Sequence, residues 1–92
     1  MDKNKIALSS LALDLRRAAI GYYRGSDKMA ERFFEEALKR KEEINDSKIK
    51  PYLKNLLITF EKIKSEKEFT KKAEDALMYS ILFQNASIAG GF

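Results

Sequence analysis

The chain has 92 residues, 45% of them hydrophobic and 35% charged, with a net charge of +4. That length and apolar content predict one folded domain over residues 1–92 and exclude a second domain or a disordered chain. Cysteine and histidine are absent, which excludes disulfides, thiolate or imidazole metal sites and the common Ser-His-Asp and Cys-His catalytic groups.

The first predicted helix runs from about Lys5 to Tyr23. Its apolar residues recur at steps of three and four, so they share one helical face: Leu8, Leu11, Ala12, Leu15, Ala19, Tyr22 and Tyr23. Gly25 is expected to end this helix, and Ser26 to cap a second helix that ends near Asn45. The second apolar stripe consists of Ala30, Phe33, Phe34, Ala37, Leu38 and Ile44.

The second half of the chain predicts two further helices. Residues 45–47 have turn composition, and Pro51 is acceptable in the first turn of helix 3 because no helical hydrogen bond is lost there. The third stripe consists of Tyr52, Leu53, Leu56, Leu57, Phe60 and Ile63. Ser65 and Glu68 predict a capping box that opens helix 4, which continues to about Ala89 before Gly90 and Gly91.

These four helices predict an all-α fold, a four-helix up-and-down bundle built from two helical hairpins. A shift of 39 residues aligns Ser26 with Ser65 and the segments that follow them. An internal duplication is one interpretation of this alignment, and the frequency of serine caps at helix starts is the other.

Helix 4 contains the strongest anomaly, because residues 76–92 include no charge. The segment is too short and too polar to span a bilayer, which needs roughly 20 apolar residues. On a helical wheel one side is expected to face the core: Ala73, Ala76, Leu77, Ser80, Gln84 and Ser87. The opposite stripe is the candidate partner-binding site: Met78, Leu82, Ala86 and Ala89, flanked by Tyr79 and Phe92.

Two interpretations of that stripe remain open. Helix 4 is central and covered by the rest of the bundle, including the segment around Ile6 and Leu8, or the stripe is exposed and docks a protein partner or a second copy. Small residues near its end would let a partner helix approach closely, and the flexible side chain of Met78 adapts to an irregular surface.

An alternative site is a basic patch at the corner between helices 1 and 2. Its cations could pair with nucleic-acid phosphates: Arg16, Arg17, Arg24 and Lys28, beside Tyr22 and Tyr23. Asp14 and Asp27 dilute this charge, so an ordinary solvated face explains the same residues.

No residues predict an enzyme, a cofactor, a metal site or a small-molecule substrate. The carboxylates of helix 2 are expected to face solvent: Glu31, Glu35, Glu42 and Glu43. The apolar stretch after Lys3 and Lys5 is interrupted too early for a signal peptide, so we expect a cytoplasmic protein that does not enter the membrane. The Lys- and Glu-rich composition leans toward a thermophile's surface.

The motif of residues 76–86, Ala-Leu-x-Tyr-Ser-x-x-Phe-x-Asn-Ala, followed by Gly91, resembles the carboxyl-terminal signature of an archaeal helical-bundle family, domain of unknown function three-five-seven. The likeness covers about residues 52–92. This chain has Asn85 where the family favours Asp, Ala89 where it favours Arg, and Leu82 where Gly is common. The overall character is also similar to small accessory subunits of crenarchaeal replicative DNA polymerase assemblies, which implies an accessory role in DNA replication, in contact with a DNA polymerase holoenzyme.

Overall fold

The computed structural model describes residues 3–89, and within that range the chain forms four α-helices, two short 3-10 stretches and no strand. The helices are α1 (Lys3–Tyr23), α2 (Asp27–Glu42), α3 (Pro51–Thr59) and α4 (Phe69–Ala89). The 3-10 stretches are Asp46–Lys48 and Phe60–Ser65. The all-α prediction is confirmed, and the helix contacts are compatible with an up-and-down bundle.

The central element is α1, which packs along both α2 and α4. Its inward sides are covered, and its largest fully buried side chains are Leu8, Leu11 and Leu15. Tyr23, predicted on the buried face, is 59% exposed, because it lies on the side of α1 that no helix covers.

The interpretation that helix 4 is central and covered is wrong, since the outer side of helix 4 is open to solvent.

The turn between α1 and α2 forms as predicted, through backbone rather than side-chain bonds. Gly25 has a φ of 70°, a left-handed conformation that glycine adopts without strain. The N–H of Ser26 donates to the carbonyl of Gly21 at 2.9 Å, and the N–H of Gly25 donates to that of Tyr22 at 3.2 Å. This pair of bonds is a Schellman motif. Ser26 occupies the N-cap position of α2, but its side chain makes no capping hydrogen bond.

The predicted third helix is divided in two. Pro51 opens α3 as expected, but the α-helix ends at Thr59 and continues as a 3-10 stretch to Ser65. Residues three apart lie on the same side of a 3-10 helix. Phe60 and Ile63 are both buried, so the tighter winding turns both toward the core.

The predicted capping box at the start of α4 is not formed. The hydroxyl of Ser65 donates to the carbonyl of Lys62 at 2.9 Å, within the 3-10 stretch. The carboxylate of Glu66 instead accepts from the N–H groups of Lys67 and Glu68, at 3.0 and 3.3 Å. Ser65 therefore precedes α4 by four residues, whereas Ser26 directly precedes α2, and the two aligned serines are not equivalent in the fold.

A pair of hydrogen bonds ties the start of α1 to the connection between α2 and α3. The side-chain amide of Asn4, 4% exposed, donates to the carbonyl of Asn45 at 3.1 Å. Its side-chain oxygen accepts from the N–H of Asn45 at 2.8 Å. The side-chain oxygen of Asn45 in turn accepts from the N–H and the hydroxyl of Ser47, which confirms the predicted turn.

We expect Asn4→Ala to lower the free energy of unfolding by about 1–3 kcal/mol, because both backbone groups of Asn45 lose a partner in a partly buried place. Urea denaturation followed by circular dichroism measures this change. Ser9→Ala is the control, since its hydroxyl bonds the carbonyl of Lys5 at an exposed site where water can replace it. Equal stability of the two variants would contradict a structural role for the Asn4–Asn45 pair.

Candidate functional site

The outer side of α4 is apolar over its last three turns except for exposed Gln84 and Asn85. The exposed residues there include no charge, and two of them, Ile81 and Ile88, are 53% and 71% exposed. We call this surface the α4 outer face; it consists of Leu77, Met78, Ile81, Leu82, Ile88 and Ala89. One turn earlier the same helix carries exposed Lys71 and Glu74, so the face begins abruptly.

The predicted stripe only partly coincides with this face. Met78, Leu82 and Ala89 are exposed as the docking hypothesis requires, but Ala86 is buried, which corrects its place in the stripe. Phe92 lies outside the described residues. Tyr79 is half-buried, because its hydroxyl donates to Thr59 at 3.0 Å and its ring stacks on another aromatic ring of α4.

Sequence reasoning missed half of the α4 outer face. Leu77 and Gln84, predicted to face the core, are exposed, and the helical wheel assigned Ile81 and Ile88 to neither side. The side of α4 that faces the bundle buries mainly small residues: Ala73, Ala76, Ser80, Ala86 and Ser87, with Phe83 as the one large side chain. Small residues let neighbouring helices approach closely, so most of the large side chains point outward. Leu77, Ile81 and Ile88 follow one another at steps of four and seven residues, and this spacing was the signal in the sequence that they share one side of α4.

A groove runs between α1 and α4, beside the α4 outer face. We call it the α1/α4 groove; it is lined by Ala12, Leu13, Arg16, Leu77, Ser80, Ile81, Gln84 and Asn85. Ala12 and Ser80 are buried and form its floor. Leu13 on one wall and Ile81 on the other are about half exposed, and Arg16 supplies the one charge among the lining residues. The groove therefore offers walls that carry both apolar side chains and the polar Gln84 and Asn85, a shallow floor of small residues, and a cation.

A second apolar groove lies on the opposite side of the α4 outer face, between α3 and α4. We call it the α3/α4 groove; it is lined by Tyr52, Leu56, Leu82, Asn85, Ala86 and Ala89. Tyr52, predicted in the third buried stripe, is half exposed here. The α4 outer face is thus a ridge with a shallow apolar groove on each side.

The four cations of the predicted nucleic-acid patch are not gathered into one surface. Arg16 lines the α1/α4 groove, whereas Arg17 turns toward α2, where it lies 3.8 Å from Asp14 and 5.5 Å from the ring centre of Phe33. Arg24 is exposed in the turn after α1. Lys28 lies in a separate cleft with mixed charge, lined also by Arg32, Lys64 and Lys72 and by Glu31 and Glu35. Direct nucleic-acid binding through the four cations of that patch stays a prediction.

Asp14 links α1 to α2 and is withdrawn from the surface. Its carboxylate lies 3.8 Å from the guanidinium of Arg17 and 4.0 Å from that of Arg40. Burial raises the pKa of Asp14 above its ordinary value of 3.8, and the two arginines oppose that rise. The residue therefore contributes no accessible negative charge to the exposed side of α1.

The carboxylates of α2 face solvent, as predicted: Glu31, Glu35, Glu42 and Glu43 are all exposed. Within the described part of the chain, no group of three or more acidic side chains is arranged to hold a metal ion. None of the helices between residues 3 and 89 is both long enough and apolar enough to cross a membrane.

Comparisons of the chain with protein-family models, curated proteins and solved structures each find no match. The family resemblance of residues 76–91 therefore stays a prediction.

Proposed function

We propose that the protein is a non-catalytic accessory or adaptor subunit that docks through the α4 outer face onto a larger protein. The observation that supports this proposal is the concentration of exposed large apolar side chains on the charge-free part of α4, residues 76–89: Leu77, Met78, Ile81, Leu82 and Ile88. Contiguous exposed apolar surface of this kind marks interaction sites, because leaving it in water is unfavourable. Completing the burial of each side chain contributes roughly 1 kcal/mol.

The accessory role also fits the form of the molecule. The two grooves beside α4 are shallow and open, so they suit a protein segment rather than an enclosed small molecule. The likeness to accessory subunits of crenarchaeal replicative DNA polymerase assemblies nominates such an assembly as the first partner to test. A second copy of the chain is the competing occupant of the same face.

We expect Ile81→Asp to weaken partner binding at least tenfold, about 1.4 kcal/mol, because a carboxylate would be desolvated at the centre of the interface. The fold should survive, since Ile81 is half exposed. Ile58→Asp is a matched control, because Ile58 is 61% exposed on α3, outside the α4 outer face.

The measurement is affinity capture from a native lysate with quantitative mass spectrometry, alongside light scattering of the purified protein. Proteins retained by the wild type and by Ile58→Asp, but lost from Ile81→Asp, are the expected partners. If Ile81→Asp retains every protein that the wild type retains, and all three proteins are monomeric, the proposed function is wrong.

A further inference from the structure

The exposed side chains of α1, within the described residues 3–23, include cations but no acid. The exposed residues of α1 are either cationic or apolar: Lys3, Lys5, Arg16 and Arg17, with Ile6, Leu13, Ile20 and Tyr23. The acidic residue of α1 within the described range, Asp14, is buried between Arg17 and Arg40. The exposed charge of α1 is thus positive around Arg16. Near the start of α1, the exposed acid Glu43 lies beside Lys3 and Ile6, and Arg17 turns toward α2.

Two cations of α1, Lys5 and Arg16, lie along the side of the helix that borders the α1/α4 groove. Arg16 lines the groove, and Lys5 precedes it by eleven residues, close to three turns, so the two side chains leave α1 in nearly the same direction. The opposite wall, on α4, carries no charge from Ala76 to Ala89. The groove therefore has a positive rim along α1. Its rim along α4 is neutral and combines apolar Leu77 and Ile81 with polar Gln84 and Asn85.

The apolar residues of the α4 wall are spaced in a way that suits the binding of a helix. Leu77 and Ile81 of this wall are four residues apart, and Ile88, seven residues further along α4, continues their line beyond the residues that line the groove. The buried floor residues, Ala12 and Ser80, are small, which lets a third helix lie close to both α1 and α4. Amphipathic helices bind such grooves through anchors at steps of three, four and seven.

We propose that the α1/α4 groove binds an amphipathic helix of the partner protein whose polar face is acidic. The apolar anchors of that helix enter between Leu13 and Ile81, and its carboxylates face Arg16 and the neighbouring cations of α1. This inference rests on the proposed function and names the chemistry of the docking segment. Charge complementarity supports it, because a positive surface favours a negative partner and rejects a positive one.

The other occupants fit this surface less well. A second copy of the chain has the same cationic α1 surface and the same net charge of +4, so like charges would face each other across the interface. Nucleic-acid binding requires cations that follow the phosphates, whereas Arg16 is the one cation among the residues that line the groove. An anionic bilayer is flat, whereas the surface here is concave.

The test is selection of peptides on the full-length protein from a display library of 20-residue amphipathic helices. Their apolar positions are fixed and their polar positions are randomised among Glu, Lys, Gln and Ser. We expect the selected peptides to carry a net negative charge, and their affinity, measured by fluorescence anisotropy, to fall as salt rises.

Substitutions in the protein test where the selected peptides bind and whether charge contributes to their affinity. Arg16→Glu should weaken the selected peptides roughly five- to tenfold, and a peptide with Glu changed to Lys should recover affinity for that variant. Leu13→Asp should weaken them at least tenfold. Arg32→Glu is the matched control, since Arg32 is an exposed cation of α2 that does not line the groove, and it should leave affinity unchanged.

Several outcomes would overturn the inference. These are selected peptides that are neutral or basic, peptides that depend on Leu82 of the α3/α4 groove but not on Leu13, and a library from which nothing is enriched. Equal Arg16-dependent binding to phosphatidylserine vesicles or to single-stranded oligonucleotides would assign the surface to those ligands instead. If any of these occurs while Ile81→Asp still loses its partners, the inference fails and the proposed function stands. If Ile81→Asp loses none, both fail.

Discussion

Phe60→Ala is expected to lower the free energy of unfolding by about 3–5 kcal/mol, the range for removing a buried aromatic side chain. Phe60 is fully buried. Its ring meets Phe34 of α2 and Phe83 of α4 edge-on, with centroids 5.9 and 5.6 Å apart. The substitution leaves a cavity where three elements meet, and a domain of this size has little stability to lose.

Urea and thermal denaturation measure this loss; each kcal/mol corresponds to roughly 4–8 °C in a domain of 60–100 residues. Tyr52→Ala is the matched aromatic control, because Tyr52 is half exposed and should lose less than about 1 kcal/mol. Phe60→Leu should recover much of the loss because it refills most of the cavity. Similar stabilities for Phe60→Ala and Tyr52→Ala would contradict the central position of Phe60.

Gly21→Ala is expected to lower the free energy of unfolding by about 1–3 kcal/mol, although alanine normally stabilises a helix interior by about 1 kcal/mol relative to glycine. A Cβ at Gly21 would lie 2.7 Å from the backbone nitrogen of Ala30 and 2.9 Å from its Cα. Both are backbone atoms, so no side-chain rotation relieves the clash. The substitution must push α1 and α2 apart.

Chemical denaturation measures the change in stability, and amide chemical shifts around Ala30 report the displacement of α2. Gly25→Ala and Gly25→Asn separate crowding from backbone strain. Gly25 has a φ of 70°, and a Cβ at this position would meet no atom within 4 Å. Alanine there is therefore strained but not crowded, and asparagine tolerates the conformation better. A more stable Gly21→Ala protein would show that α1 and α2 do not pack this closely.

The ends of the helices could be predicted where local chemistry decides them. Gly25 ends α1 because it can adopt a left-handed conformation, and Pro51 opens α3 because its missing N–H is not needed there. The 3-10 stretch after Thr59 could not be predicted. A 3-10 helix and an α-helix differ little in local backbone conformation. The choice between them after Thr59 depends on the packing of Phe60 and Ile63 in the core.

The start of α4 could not be predicted from the sequence either. Ser65 and Glu68 have the spacing of a capping box, but the 3-10 stretch extends through Ser65 and delays the helix to Phe69. The residue that bonds the free N–H groups of Lys67 and Glu68 is Glu66, which the spacing pattern did not single out. Both N–H groups precede Phe69, so Glu66 orders the turn before α4 and does not replace the predicted cap of its first turn.

The sequence by itself determined that the protein is all-helical and that α4 lacks charge from residue 76 onward, because both depend on residue type and periodicity alone. Only the tertiary structure decided which sides of α4 are covered, since a helical wheel gives relative directions and not the positions of neighbouring helices. Close packing of α1 against small residues of α4 left Leu77, Ile81 and Ile88 outside. That arrangement, rather than composition, produced the α4 outer face and the positive groove beside it.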